Sequence, residues 1–270
     1  MLKDITIGQY FPGHSVIHKI DPRMKIILTL VFVIMLFIAK NATGLIIGTV
    51  FILVSYLLSR VPLKMIFRSL KPVMPIVLFT ALLNMFFVEG RVLYKIWIIK
   101  ITYEGIMLAV LMSFRIVLLI AGTSLLTYTT SPITLTDGIE RLLSPLKKIN
   151  MPVHELAMMM TIALRFIPTL IEETDKIMSA QKARGADLET GGLIQRSKAL
   201  IPILIPLFVS AFRRADELAL AMECRCYRGD EGRTRMKQLK YRYYDFISAA
   251  VVALMLGAVI YVNFILPSSF

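Results

Sequence analysis

The chain has 270 residues, of which 57% are hydrophobic, and its mean hydropathy is +0.71. These values lie far above those of a soluble domain of this size, so they indicate a membrane-embedded protein. The formal net charge of +13 does not indicate nucleic-acid binding, because the basic residues are distributed as in the loops of a membrane protein.

Five apolar segments are candidates for crossing a bilayer: 26–39, 45–59, 72–88, 105–127 and 246–266. A crossing helix needs about 20 apolar residues, so the last two are long enough and the third is close to the minimum. The first two are short and suit tilted, re-entrant or protein-shielded helices. We therefore predict about five transmembrane helices, with four or six as the alternatives.

The positions of Lys and Arg predict the orientation of the chain. With a cytoplasmic N-terminus, the inside segments 1–25, 60–71 and 128–245 carry 4, 4 and 18 of them, and the outside segments 40–44 and 89–104 carry 1 and 3. This asymmetry follows the positive-inside rule. We predict a cytoplasmic N-terminus and an outside C-terminus. No small-residue cleavage site follows the first apolar run, so residues 1–25 are interpreted as a retained cytoplasmic segment.

The predicted fold is an all-α membrane protein in three parts. Residues 1–127 hold an N-terminal cytoplasmic segment and four transmembrane helices, 128–245 form a cytoplasmic domain, and 246–270 form the final helix and tail. In the cytoplasmic domain the sequence predicts a short helix over about 133–149 and two long ones. The long helices cover about 153–184, bent or interrupted at Pro168, and about 193–227, ending at Gly229.

Two stretches of this domain are unusually apolar. Residues 154–168 contain the run Met158-Met159-Met160, which is typical of an adaptable contact surface. Residues 199–212 are apolar throughout but too short to span a bilayer. Such helices suit the membrane interface or a groove shared with a partner protein.

Both long helices are predicted to end near an arginine, Arg184 before Gly185 and Arg225 before Gly229. Cations in the last turn and a glycine beyond it are ordinary helix C-terminus chemistry, which is the structural alternative to a functional role. The second helix spans roughly 45–50 Å if straight, so the two guanidiniums cannot share one small-molecule site. They fit two separate sockets, in which each would pair with carboxylates.

A cytoplasmic Ala-Arg-Gly at 183–185, followed about forty residues later by a second x-Arg-x triplet, resembles the transmembrane coupling subunit (T component, EcfT family) of energy-coupling factor (ECF) transporters. The most specific match is ALRFIPTLIEETDKIMSAQKARG (163–185), and AMECRCYRGDEGRTR (221–235) follows in the expected place. IGQYFPGHSVIHKIDPRMK (7–25), with its Asp-Pro-Arg-x-Lys run, and TYTTSPITLTDGIERLLSPLKK (127–148) also agree. The resemblance covers nearly the whole chain.

The resemblance implies a non-catalytic scaffold in the cell membrane with no cofactor of its own. Two cytoplasmic ABC-type ATPase subunits would each accept one arginine-tipped helix. A membrane-embedded S component, which captures a vitamin or a metal ion, would rest on the same helices. Its expected contacts are Met158, Met159, Leu204 and Phe208.

Carried over by position, the ATPase-coupling motifs are Ala183-Arg184-Gly185 and Cys224-Arg225-Cys226. The second motif departs from the family form, which resembles Ala-Arg-Gly. Without glycine at that position the helix is expected to continue to Gly229, which makes Arg228 a rival ATPase contact.

Two other classes of protein are the alternatives. A self-contained channel or secondary transporter would need intramembrane charges, and Arg115 is the single clear one, either a pathway residue or a polar interior or snorkelling contact. A membrane-embedded enzyme is less favoured, because the three histidines form no H-E-x-x-H motif and no P-loop pattern occurs. Cys224 and Cys226 lack companion ligands, so no metal site is predicted.

Overall fold

The computed structural model describes residues 10–96, 99–149, 151–186, 192–229 and 238–265. In these ranges the helices are α1 (Pro22–Ile38), α2 (Ala42–Ser59), α3 (Leu63–Leu70), α4 (Met74–Phe87), α5 (Tyr103–Thr129), α6 (Pro132–Leu143), α7 (Val153–Ala183), α8 (Leu193–Cys224) and α9 (Tyr243–Ile265). The predicted all-α membrane fold is confirmed. An antiparallel hairpin of β1 (Val92–Ile96) and β2 (Ile99–Thr102) precedes α5 and was not predicted.

Local sequence explains where the membrane helices begin and end. Asp21 caps α1 by accepting from the backbone N–H of Arg23 at 2.9 Å, and Pro22 occupies the first helical position. Thr102 caps α5 in the same way through Gly105 at 3.1 Å. Capping residues therefore define the starts of both helices.

The helices long and apolar enough to cross a membrane differ from the predicted set. Among the described residues they are α2, α5, α7 and α9, with α3 and α4 as a fifth if this pair, bent by 58°, is one span. α1 has 17 residues, about 26 Å of rise, which is slightly less than the hydrocarbon thickness. Helix α7 is also long and apolar enough to cross a membrane, although the sequence analysis predicted it in the cytoplasmic domain.

Close packing of α1, α2 and α5 forms the core. Its members include the buried side chains of Phe32, Leu36, Ile52 and Leu118. Gly122 on α5 permits this packing, because a Cβ added there would lie 2.4 Å from a ring carbon of Phe32. The Tyr56 hydroxyl donates to the Ala121 carbonyl at 2.8 Å and joins α2 to α5. These interhelical contacts account for the buried faces of otherwise lipid-compatible helices.

The described residues divide into two compact units. Residues 10–138 and 238–265 form one, which we call the membrane unit, and 139–229 form the other, which we call the inserted unit. This division does not report which residues lie in the cytoplasm, so the predicted boundaries at 127/128 and 245/246 stay predictions.

Candidate coupling sites

The inserted unit is built on α7 and α8, which run antiparallel. Three side-chain contacts join them: Gln181 Nε2 donates to the Pro202 carbonyl at 3.3 Å, Arg214 pairs with Glu173, and the Tyr227 hydroxyl donates to Met158 Sδ at 2.9 Å. From one contact to the next, the residue number on α7 decreases while the residue number on α8 increases. The far end of α8 therefore lies beside the first turns of α7, and neither Pro168 nor the prolines of α8 interrupts its helix.

Arg184 is the C-cap residue of α7. The next residue, Gly185, has a left-handed φ of +85°, and its N–H donates to the Lys182 carbonyl at 3.0 Å. The N–H of Ala186 donates to the Gln181 carbonyl at 3.0 Å. These two bonds form a Schellman motif. A Cβ at Gly185 would meet no atom within 4 Å, so the backbone conformation, rather than space, favours glycine here.

Arg225 is the C-cap residue of α8, in the same motif. Cys226 has a φ of +55°, its N–H donates to the Glu223 carbonyl at 2.8 Å, and the N–H of Tyr227 donates to Met222 at 3.1 Å. The prediction that this helix continues to Gly229 is wrong. The two Schellman bonds satisfy the carbonyls of Met222 and Glu223, which offsets the cost of a left-handed cysteine, about 1 kcal/mol.

The two arginines occupy equivalent positions at opposite ends of the helix pair. Tyr227 contacts Met158, so Arg225 lies near the start of α7, and Arg184 lies at its end. At 1.5 Å per residue their separation along α7 is about 35–40 Å, less than the predicted 45–50 Å. The difference arises because Gln181 contacts Pro202. In this register Arg184 lies beside about residue 199, within α8, rather than beside its first residue, Leu193.

All residues of the two predicted motifs are exposed. Ala183, Arg184 and Gly185 are accessible at one end, and Cys224, Arg225 and Cys226 at the other. Arg228, the rival contact, is also exposed but lies outside the Schellman motif. Both cysteines are free thiols, and in the described parts of the chain no three His, Cys, Asp or Glu side chains are arranged to hold a metal ion.

An apolar stripe covers one face of α8. We use the name α8 stripe for its exposed residues Ile201, Leu204, Ile205, Phe208, Val209 and Phe212. Their spacing of three and four residues places them on one side of the helix. Ile203, in contrast, is buried. Of the predicted contacts on α7, Met159 is exposed, whereas Met158 is half-buried beneath Tyr227.

Three interactions of polar side chains have partners that the sequence analysis did not identify. Glu140 on α6 and His154 on α7, both buried, approach within 3.0 Å and join these two helices. Arg214 and Glu173 join α7 to α8. Arg115 donates to the Ala39 carbonyl at 2.6 Å, so it makes the interior contact that the sequence offered as one alternative. Its position at the C-terminus of α1 also places a cation at the negative end of that helix.

The chain is similar to a known family of transport proteins. Residues 13–236 match the cobalt transport protein family, CbiQ. The energy-coupling factor transporter transmembrane protein EcfT of Ruminiclostridium cellulolyticum is 53% identical over 98% of this chain and 99% of its own. The EcfT proteins of Clostridium kluyveri and Acidaminococcus fermentans are 60% and 52% identical, over 95% and 99% of this chain and 95% and 100% of theirs.

The chain therefore belongs to the family of energy-coupling factor transporter transmembrane proteins. The family resemblance read from the sequence is confirmed. At this level the chain is a transmembrane component of an ECF transporter and a multi-pass membrane protein.

Proposed function

We propose that this chain couples ATP hydrolysis by two cytoplasmic ABC-type ATPase subunits to the movement of a membrane-embedded S component that binds a vitamin or a metal ion. One observation carries the proposal: two exposed arginines occupy equivalent C-cap positions at the opposite ends of one helix pair. A separation of about 35–40 Å is too large for one ligand. It suits two sockets on two ATPase subunits.

The local geometry supports arginine as the contacting group. Each Schellman motif satisfies two carbonyls of the last helical turn through backbone N–H groups, and both arginines are exposed, so each guanidinium is accessible to a partner. Arginine pairs bidentately with carboxylates and tolerates partial burial. Arg225 is favoured over Arg228 because it matches Arg184 in backbone position.

The α8 stripe supports a second contact surface on the same helix pair. A contiguous apolar face of this size marks an interaction site. Leu204 and Phe208 belong to it, and Met159, a further exposed and adaptable side chain, lies near the start of α7, about 25–30 Å from them along the helix pair. We assign the α8 stripe to the S component and propose Met158 and Met159 as additional S-component contacts toward the other end of the helix pair. The predicted orientation places the N-terminus and the arginine motifs in the cytoplasm and the C-terminus outside.

The test uses the complex isolated from native membranes in mild detergent. Arg184→Glu and Arg225→Glu should each remove one ATPase subunit, because reversal opposes the socket carboxylates and loss of a buried charge pair costs about 2–5 kcal/mol. The double variant should lose both, since distant sites act additively. Lys at either position should be a partial substitute.

Arg228→Glu is the matched control, with the same charge change three residues from Arg225. It should retain both ATPase subunits. Uptake into liposomes is measured with radiolabelled B vitamins and Co²⁺ in turn, and either single variant should lose most accumulation. Full retention of both ATPases by Arg184→Glu and Arg225→Glu would show that these arginines are ordinary helix-end cations.

A further inference from the structure

The Asp-Pro-Arg-x-Lys run at residues 21–25 has no role in the coupling sites, yet it makes a dense set of polar contacts. Asp21 and Lys25 are buried at the start of α1, and so is Asp245 in the first turn of α9. We call Asp21, Arg23, Lys25 and Asp245 the N-terminal clamp. All four lie in the membrane unit.

One part of the N-terminal clamp holds the segment that enters α9. Asp245 is 1% exposed; one of its oxygens accepts from the N–H of Asp21 at 2.7 Å and the other from the N–H of Arg242 at 2.6 Å. Arg23 donates to both oxygens of Asp21 at 3.0 Å, and its guanidinium lies 4.1 Å from the ring centroid of Tyr241. Charge-assisted bonds of this kind are about twice as strong as neutral ones.

Another part holds the segment that leaves α5. Lys25 Nζ donates to the Thr129 carbonyl at 2.8 Å and to the Thr130 hydroxyl at 3.2 Å. This places a cation at the C-terminal end of α5, where the helix dipole favours it. Farther along, Gly138 packs on Pro22, since a Cβ added at Gly138 would lie 3.2 Å from the Pro22 Cβ.

The residues before the clamp are fixed on the same helix end. The N–H of Phe11 donates to the Tyr128 carbonyl at 2.9 Å, and His18 Nε2 donates to the Phe11 carbonyl at 3.0 Å. Burial lowers the pKa of His18, which favours the neutral ring whose Nδ1 accepts from the Ser15 hydroxyl at 2.7 Å. Residues 11–18 are therefore held by the end of α5 and by hydrogen bonds among themselves.

Both places where the chain passes between the membrane unit and the inserted unit, 138/139 and 237/238, follow or precede segments held by these contacts. We propose that the N-terminal clamp fixes both ends of the insertion, and that its four residues are positioning residues for coupling. The helix pair can transmit a displacement to a membrane partner only if the two chain segments that attach it to the membrane unit are rigid. This inference rests on the proposed function and concerns the efficiency of coupling, not the binding of ATPases.

The test is Asp245→Asn in the complete complex, reconstituted in liposomes. The amide keeps the size of the side chain and one acceptor oxygen, but it loses the charge and presents an NH₂ group to one of the two backbone donors. Both ATPase subunits should be retained and ATP hydrolysis should continue. Uptake per ATP hydrolysed, measured with the vitamin or Co²⁺ probe that the unaltered complex accumulates, should fall severalfold, because loss of one charge-assisted bond lowers the equilibrium constant for the clamped arrangement by roughly tenfold.

Asp216→Asn is the control, because Asp216 is an exposed carboxylate on α8 outside the N-terminal clamp. This variant should not change uptake per ATP hydrolysed. If Asp245→Asn lowers the yield of folded protein, Arg23→Lys decides the question, since it keeps the charge and removes the bidentate bonds to Asp21. An intact complex with unchanged uptake per ATP would overturn the inference. Loss of ATPase subunits from Arg184→Glu tests the proposed function separately, so the two failures are distinguishable.

Discussion

Phe208 offers the sharpest test of the α8 stripe, because its side chain is accessible while its neighbour Ile203 is not. Phe208 is 60% exposed, and a phenylalanine has about 200 Å² of surface, so roughly 120 Å² is available for burial by a partner. At about 25 cal/mol per Å² this area corresponds to about 3 kcal/mol. Ordering of the side chain costs about 1 kcal/mol. Phe208→Ser should therefore weaken S-component binding by about 2 kcal/mol, or roughly 30-fold in Kd.

The assay is titration of the S component against the complex of this chain with its ATPases in nanodiscs. Phe208→Ser should reduce S-component affinity while ATPase retention and thermal stability stay unchanged. Ile203→Ser is the comparison, because Ile203 is 4% exposed and its loss should lower the stability of the whole chain by about 2–5 kcal/mol. Equal loss of both partners in Phe208→Ser would mean that the residue belongs to the scaffold's own core, which would refute the reasoning.

Two further predictions concern the helix ends and the topology. Gly185→Ala places a side chain at a left-handed position and should destabilise the end of α7 by about 1 kcal/mol. Cys226→Gly removes a side chain from such a position and should stabilise the end of α8 by about the same amount. Amide exchange should accordingly become about fivefold faster at Ala186 and about fivefold slower at Tyr227, and changes of the same sign would contradict the Schellman assignment. In a background with Cys224 and Cys226 replaced by Ser, Lys40→Cys should react with an impermeant maleimide from outside and Ser179→Cys only from inside. Both residues are exposed, and reaction of both from one side would exclude the predicted orientation.

The presence of the long helices and the position of the first arginine motif could be predicted, because the sequence signals for both are local. Long apolar runs define the membrane helices, and Gly185 marks the end of α7 directly. The end of α8 could not be predicted this way, since a cysteine takes the left-handed position that usually requires glycine. Helix α3 was missed, because residues 60–71 were assigned to an inside segment on the strength of their four Lys and Arg residues, whereas the predicted span 72–88 does begin at the break between α3 and α4.

The other features that could not be predicted from the sequence depend on contacts between residues far apart in the chain. The contact between Asp21 and Asp245 joins residues 224 positions apart, and no local pattern reports it. The same holds for the register of α7 on α8, which depends on Gln181 reaching Pro202 and so set the separation of the arginines below the predicted value. The exposed face of α8 was indicated by composition, but its division into an exposed Leu204 and a buried Ile203 required the packed structure.

Photo-crosslinking can determine whether each arginine-tipped helix end contacts a different ATPase subunit. Ala183 and Cys224 are exposed and equivalent, each directly preceding a C-cap arginine. A chain with Ala183→Cys, Cys226→Ser and the native Cys224 carries one thiol at each end for a benzophenone label. After irradiation of the assembled complex, we expect a product of one chain joined to two ATPase subunits, and a product with one ATPase subunit when either thiol is absent. Products that never contain more than one ATPase subunit would contradict this expectation.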